Sequence, residues 1–248
     1  MRYVLARLSF YGPFFSHIAG TVSGRGPSLP PPSTLAGALL AAYYRSRGPA
    51  EAKLDKRLLE TIKLAYFWAP PYAVAPNLSR HYTFLVQKKH RVMRMKESRE
   101  LLSLIFSPNP TYETYFWGDA YVLYVLDGEF ERGLEEAVGH IFRIGHKETL
   151  VASVPVEVIS KRRVDMAKTR FYVPRDSTTS ECSNVEKMLE VLGDPVELIY
   201  EKHALREYCV PPQYTDEPLF CDPAPGWAAV ELETEAGIMQ VLLPERYV

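Results

Sequence analysis

Clustered cations with histidines among them are the first candidates for chemistry. Between residues 80 and 99 stand Arg80, Lys88, Lys89, Arg91, Arg94, Lys96 and Arg99, opposed by Glu97 alone, with His81 and His90 inside the run. A shorter basic turn reads Arg143-Ile144-Gly145-His146-Lys147-Glu148-Thr149, and Lys161-Arg162-Arg163 with Lys168 and Arg170 makes a third cluster. Such groups suit a polyanion, whose phosphates they meet as point charges or guanidinium forks. The alternative is a solvated face whose long stems cover apolar surface. A further candidate is the stretch Gly24-Arg25-Gly26-Pro27-Ser28-Leu29-Pro30-Pro31-Pro32-Ser33-Thr34. Three consecutive prolines form a stiff, extended lead-in. Ser33 or Thr34 is then placed to cap a helix running to about Arg47, where Gly48-Pro49 stops it. The free N–H groups and positive dipole end of such a helix favour an anion such as phosphate. The alternative is a capped core helix with no ligand.

Other chemistries lack their residues. There is no Walker motif, no paired-aspartate constellation of nuclease type and no GxSxG. The three cysteines, Cys182, Cys209 and Cys221, have no CxxC spacing, and His203 is the only histidine near them, so structural zinc is not expected. No metal ion or cofactor is called for. Three Asn, three Gln and 20 Pro fit a thermophile, in which a Cys209–Cys221 disulfide is conceivable even in the cytosol. No run of 18 apolar residues exists, and Met1–Arg7 meets charge too soon for a signal peptide, so a cytoplasmic protein with no membrane partner is expected.

The net charge of −1 conceals an asymmetry. Residues 1–170 carry 24 Lys and Arg against 15 Asp and Glu, whereas residues 171–248 carry 5 against 15. A basic first part facing a polyanion and an acidic second part turned away from it would account for this.

The elements that must position these groups follow from hydrophobic period. Tyr3–Tyr11 reads as a strand, and Leu35–Tyr44 as the apolar body of a buried helix. A helix over Ala50–Leu64 precedes an aromatic strand from Ala65, resumed at an edge over Tyr72–Ala75. Tyr115–Leu126 reads as one long strand with a bulge at Gly118. A helix over Glu129–Phe142, with Phe142 inward, and a strand over Leu150–Ile159 complete a βαββαβ order. Beyond Arg170, Val185–Leu192 reads as a short helix, Val196–Tyr200 as a strand and Glu207–Gly226 as an irregular loop. Trp227–Leu232 and Gly237–Leu243 read as a hairpin.

Taken together, Gly24–Ser28, Pro31-Pro32-Ser33-Thr34-Leu35-Ala36-Gly37-Ala38-Leu39 and Ile144–Val151 resemble the Cas-five subunits of CRISPR effector complexes, members of the RAMP superfamily. The resemblance covers roughly residues 1–160, and the short acidic remainder is similar to the archaeal, type I-A-like subtype. It implies an α+β, ferredoxin-like (RRM-like) domain over 1–160, with a basic β-hairpin thumb inserted at 80–114, and a small β-rich subdomain over 161–248. It also implies a non-catalytic subunit of a Cascade-type complex that holds the 5′ handle of the guide RNA (crRNA). Its partners would be the backbone-filament RAMP subunit and the large subunit. The implied RNA contacts are Arg25, Ser33, Thr34, Lys88, Lys89, Arg91, Arg94, Arg143, Gly145, His146 and Lys147. The turn at 143–149 has a single glycine where the family shows several, which shifts the expected contacts to the side chains of Arg143, His146 and Lys147. Some relatives cut repeat RNA without metal, using tyrosine, lysine and histidine as base, charge stabiliser and acid. Tyr44 (or its neighbour Tyr43), Lys89, His90, His146 and Lys147 would supply those types here, which makes a metal-independent endoribonuclease the alternative.

Overall fold

The computed structural model describes residues 1–15, 26–47, 56–77, 111–145, 149–191 and 205–248. Its central strand is β1 (Arg2–Phe10), in which Val4, Leu5, Ala6 and Leu8 are all buried. Such a strand must be flanked on both edges and covered on at least one face. On one edge lies β6 (Ala120–Leu126), on the other β7 (Val151–Val156), and β3 (Ile62–Trp68) adds beyond β6. Every neighbouring pair is antiparallel, in the order β3-β6-β1-β7. Helix α1 (Pro32–Arg47) covers this sheet, and the Tyr124 hydroxyl of β6 donates to the Leu35 carbonyl at 2.9 Å. Burial drives the Tyr124 pKa far upward, so the hydroxyl stays a donor. Helix α3 (Glu131–Ala137) packs beside α1 at Gly133, where a Cβ would lie 2.8 Å from the Tyr43 ring. Helix α2 (Lys56–Thr61) leads into β3.

A three-stranded ribbon stands beside the sheet. β4 (Tyr72–Asn77) pairs with β5 (Thr111–Phe116), which also pairs with β2 (Phe14–Phe15). The last β4–β5 pair, Asn77 with Thr111, is the point from which residues 78–110 depart.

The remaining chain is mostly strand. β8 (Val158–Val164) follows β7 after Glu157 and leaves the first sheet to pair with β14 (Trp227–Thr234), which pairs in turn with β15 (Gly237–Pro244). β10 (Val173–Pro174), β12 (Leu205–Cys209) and β11 (Val185–Leu189) form another sheet, and β9 (Ala167–Thr169) pairs with β13 (Leu219–Cys221). Val230, Leu232, Val241 and Leu243 belong to the same apolar core as Val4, Leu5 and Leu39. Among the described residues, no helix is long and apolar enough to cross a membrane.

Several expectations change. Tyr115–Leu126 is two strands in two sheets, because Gly118 adopts φ +103° and the Trp117 N–H is drawn to the Pro71 carbonyl. Tyr72–Ala75 pairs with β5 and does not continue β3. The helix read over Ala50–Leu64 is described only from Lys56, and it gives way to a strand at Ile62. Helix α3 passes into a 3₁₀ turn over Val138–His140, after which extended backbone at Ile141 turns Phe142 outward, 41% exposed. Val185–Leu189 is a strand, since every residue of it pairs with β12. The 207–226 segment contains β13 and the end of β12. The disulfide joins Cys182 to Cys209 across a Cα separation of 5.6 Å, and Cys221 is a buried free thiol. Arg170 is not a surface cation: it is buried, and its guanidinium donates to the carbonyls of Ala69, Thr215 and Glu217.

Candidate nucleic-acid interface

The helix that the prolines introduce begins at Pro32, with the Leu35 N–H bonded to the Pro31 carbonyl at 3.1 Å. Pro fits the first helical position, where its fixed φ is already helical and no N–H is required. Ser33 and Thr34 therefore lie inside the first turn, half-buried, and do not precede the helix as caps. The loop leading to it is held from two sides. The Ser28 N–H and hydroxyl both donate to the Glu186 carboxylate of β11, at 2.8 and 2.5 Å, and the Thr114 hydroxyl of β5 donates to the Ser28 carbonyl at 2.6 Å. This stretch is thereby tied to both the base of the ribbon and the second half of the chain.

The turn after Arg143 is seated against the same place. Arg143 and Leu150 form a bridge, the Ile144 N–H donates to the Thr149 carbonyl, and the Thr149 hydroxyl donates to the Pro13 carbonyl at 3.2 Å. Gly145 has φ +72°, a left-handed conformation that glycine adopts without a Cβ penalty. A Cβ there would meet Thr34 Cγ2 at 3.3 Å, Phe14 Cε2 at 3.3 Å and the Phe15 carbonyl at 3.4 Å. The first turn of α1, strand β2 and Gly145 are thus in contact, and β2 is hydrogen-bonded to β5 at the base of the ribbon. Three stretches far apart in sequence meet here: the Gly/Pro/Ser loop, the basic turn, and the two strands that bracket residues 78–110.

Arg143 is exposed, and its guanidinium carbon lies 5.9 Å from the centroid of the Phe142 ring. Arg45, from the last turn of α1, lies over the same ring at 3.7 Å. An exposed aromatic flanked by two guanidinium groups offers stacking and charge together. Sequence reasoning misses Arg45 and Phe142 because helical spacing places Phe142 on the inward face. The available signal was Arg45 and Arg47 at the C-terminal end of α1, where cations complement the dipole.

The other candidates separate into two groups. Arg25, Lys88, Lys89, His90, Arg91, Arg94, His146 and Lys147 lie outside the described residues, as does the strand expected over Val196–Tyr200. Tyr44 is described. It is half-buried, stacked edge-on against Tyr43 at 5.7 Å and packed on the core. Ten residues separate it from Thr34, about 15 Å along the helix axis at 1.5 Å per residue. Among the described residues no group of three or more His, Cys, Asp or Glu is arranged to hold a metal ion.

No protein-family model matches the chain, and no curated protein matches its sequence. The chain is similar in fold to the crystal structure of a CRISPR protein from Archaeoglobus fulgidus, with a TM-score of 0.59 and 20% sequence identity, over 98% of this chain and 99% of that one. The shared fold runs through the residues after 160 as well as those before.

Proposed function

We propose that this chain is a CRISPR-associated, non-catalytic RNA-binding subunit of a Cascade-type complex, and that it holds the 5′ handle of the guide RNA. The observation that carries the reading is the contact of Gly145 with Thr34 and β2, which gathers the Pro-Pro-Ser-Thr helix start, the basic turn and the base of the ribbon. Whole-length likeness in fold to a CRISPR protein supports the same class. The sheet order β3-β6-β1-β7, with α1 over it, supports a ferredoxin-like platform of RAMP type. The position of residues 78–110 at the end of β4 and β5 supports a thumb that brings Lys88, Lys89, Arg91 and Arg94 to RNA.

In this reading backbone phosphates are met by the cations of the thumb and by Arg143, and the seating of Gly145 on the first turn of α1 orients the strand. Single-stranded bases splay out and stack, with exposed Phe142 and the guanidinium groups of Arg45 and Arg143 beside it as one platform. In this reading its neighbours are the filament RAMP protein and the large subunit. The distance of Tyr44 from the first turn of α1 favours binding over strand cleavage.

Affinity purification from the native host, with sequencing of co-purifying small RNA, tests the reading. The expected RNAs share one short 5′ sequence and accompany other complex subunits. Incubating the chain with repeat RNA in EDTA should leave the RNA intact. Cleavage that is lost on His90→Ala or His146→Ala would replace this reading with the endoribonuclease.

A further inference from the structure

A cleft of about 480 Å³ lies where β3 meets the sheets of the second half, with Pro32 of α1 also in its wall. Lys63, Tyr66, Glu190, Arg206, Trp227 and Arg246 are among its lining residues. Arg206 is already committed, with its guanidinium held by Asp176 at 2.5 Å and by Glu190 at 2.6 Å. Lys63 and Arg246 are not so held. Lys63 donates to the Glu60 carbonyl at 2.7 Å, and Arg246 lies over the Tyr247 ring at 4.7 Å. Neither forms a salt bridge among the described residues. Two uncompensated cations on one concave surface are an anion site in waiting.

Two further observations narrow the ligand. Trp227 adds a half-buried aromatic ring, with the Arg206 guanidinium 5.6 Å from its centroid, and the Glu190 carboxylate adds an acceptor. The volume exceeds what a bare phosphate fills and suits a ring system carrying one.

We propose that this cleft binds a nucleotide, with its phosphate paired to Lys63 and Arg246 and its base against Trp227. The nucleotide is either free or one unit of a bound RNA strand, and the second source rests on the RNA-binding reading above. The full chain is titrated by calorimetry with each nucleoside monophosphate, with the matching nucleosides, with inorganic phosphate and with a short single-stranded oligoribonucleotide. A monophosphate should bind saturably, at least about tenfold tighter than its nucleoside or phosphate alone, because base and phosphate contacts act together. Lys63→Ala with Arg246→Ala should weaken binding by about tenfold or more, since each removes a charge-assisted contact. If only the oligoribonucleotide binds, and the Lys63/Arg246 variant weakens it, the occupant is a unit of the strand. If neither ligand responds to the double substitution, the inference is overturned. RNA binding that persists unaltered in that variant removes the cleft and leaves the 143–149 face standing.

Discussion

Substitution of Gly145 by alanine tests whether the basic turn is seated on α1. Two costs are expected. The φ of +72° places an L-residue in the left-handed region, about 1 kcal/mol above glycine. The new methyl group then approaches Thr34, Phe14 and the Phe15 carbonyl at 3.3–3.4 Å. Phe14 and Phe15 are buried and cannot withdraw freely, so overpacking adds about 1–2 kcal/mol. The total, about 2–3 kcal/mol, corresponds to a fall in melting temperature of roughly 4–12 °C for a chain of this size. Two other glycines supply the controls. Gly226 has φ +83° with no heavy atom within 4 Å of a built Cβ, so Gly226→Ala isolates the backbone cost. Gly12 lacks both features, and Gly12→Ala should stay within about 0.5 kcal/mol of the parent. Urea unfolding followed by circular dichroism measures all three. A Gly145→Ala variant no less stable than Gly226→Ala would show that the turn does not rest on the helix, and the assembly of the interface would fail with it.

Further predictions concern the second half. Reduction, or Cys182→Ser, should cost about 3.5 kcal/mol by loop-closure entropy over a separation of 27 residues, and Cys221→Ser should leave the response to reductant unchanged. Burial pushes the Cys221 thiol up to about 11, so iodoacetamide at pH 8 should label it only after unfolding. A Cys221→Ser protein indifferent to reductant would instead implicate Cys221 in the bond. Arg170→Met should destabilise by about 3 kcal/mol or more, because the carbonyls of Ala69, Thr215 and Glu217 lose a charged donor inside the protein. A change below about 1 kcal/mol in urea unfolding would refute that role.

What could be read from the sequence follows physical lines. The prolines at 30–32 and the small apolar body of α1 carry their own signal, since they admit few other conformations. The hairpin of β14 and β15 is local and announced by its turn. The misreadings came where a local pattern was ambiguous or a partner was distant. Val185, Met188 and Val191 recur at near-helical spacing, yet pairing with β12, across a long intervening stretch, makes the segment a strand. The aromatic run Tyr115–Leu126 gives no sign that its halves serve different sheets; only Gly118 does, and a bulge was an equal reading. Arg170 and Arg163 look alike in sequence, but one is a buried pin for three carbonyls and the other an exposed strand residue. At the candidate site, the motif stretches stood out by composition. That Gly145 would touch Thr34, and that Arg45 would reach Phe142, depends on how α1 lies beside the 142–145 segment, which no local pattern encodes.

The central claim, that cations on the thumb and the basic turn grip an RNA strand, is tested most directly by salt titration. Binding of the chain to handle-bearing RNA is measured across a range of salt concentrations, for the parent and for Lys88→Ala/Lys89→Ala/Arg91→Ala. Each neutralised phosphate on a single strand contributes about 0.7 to the log–log slope, so the triple variant should flatten it by roughly two units. A slope unchanged by the three substitutions would contradict the claim.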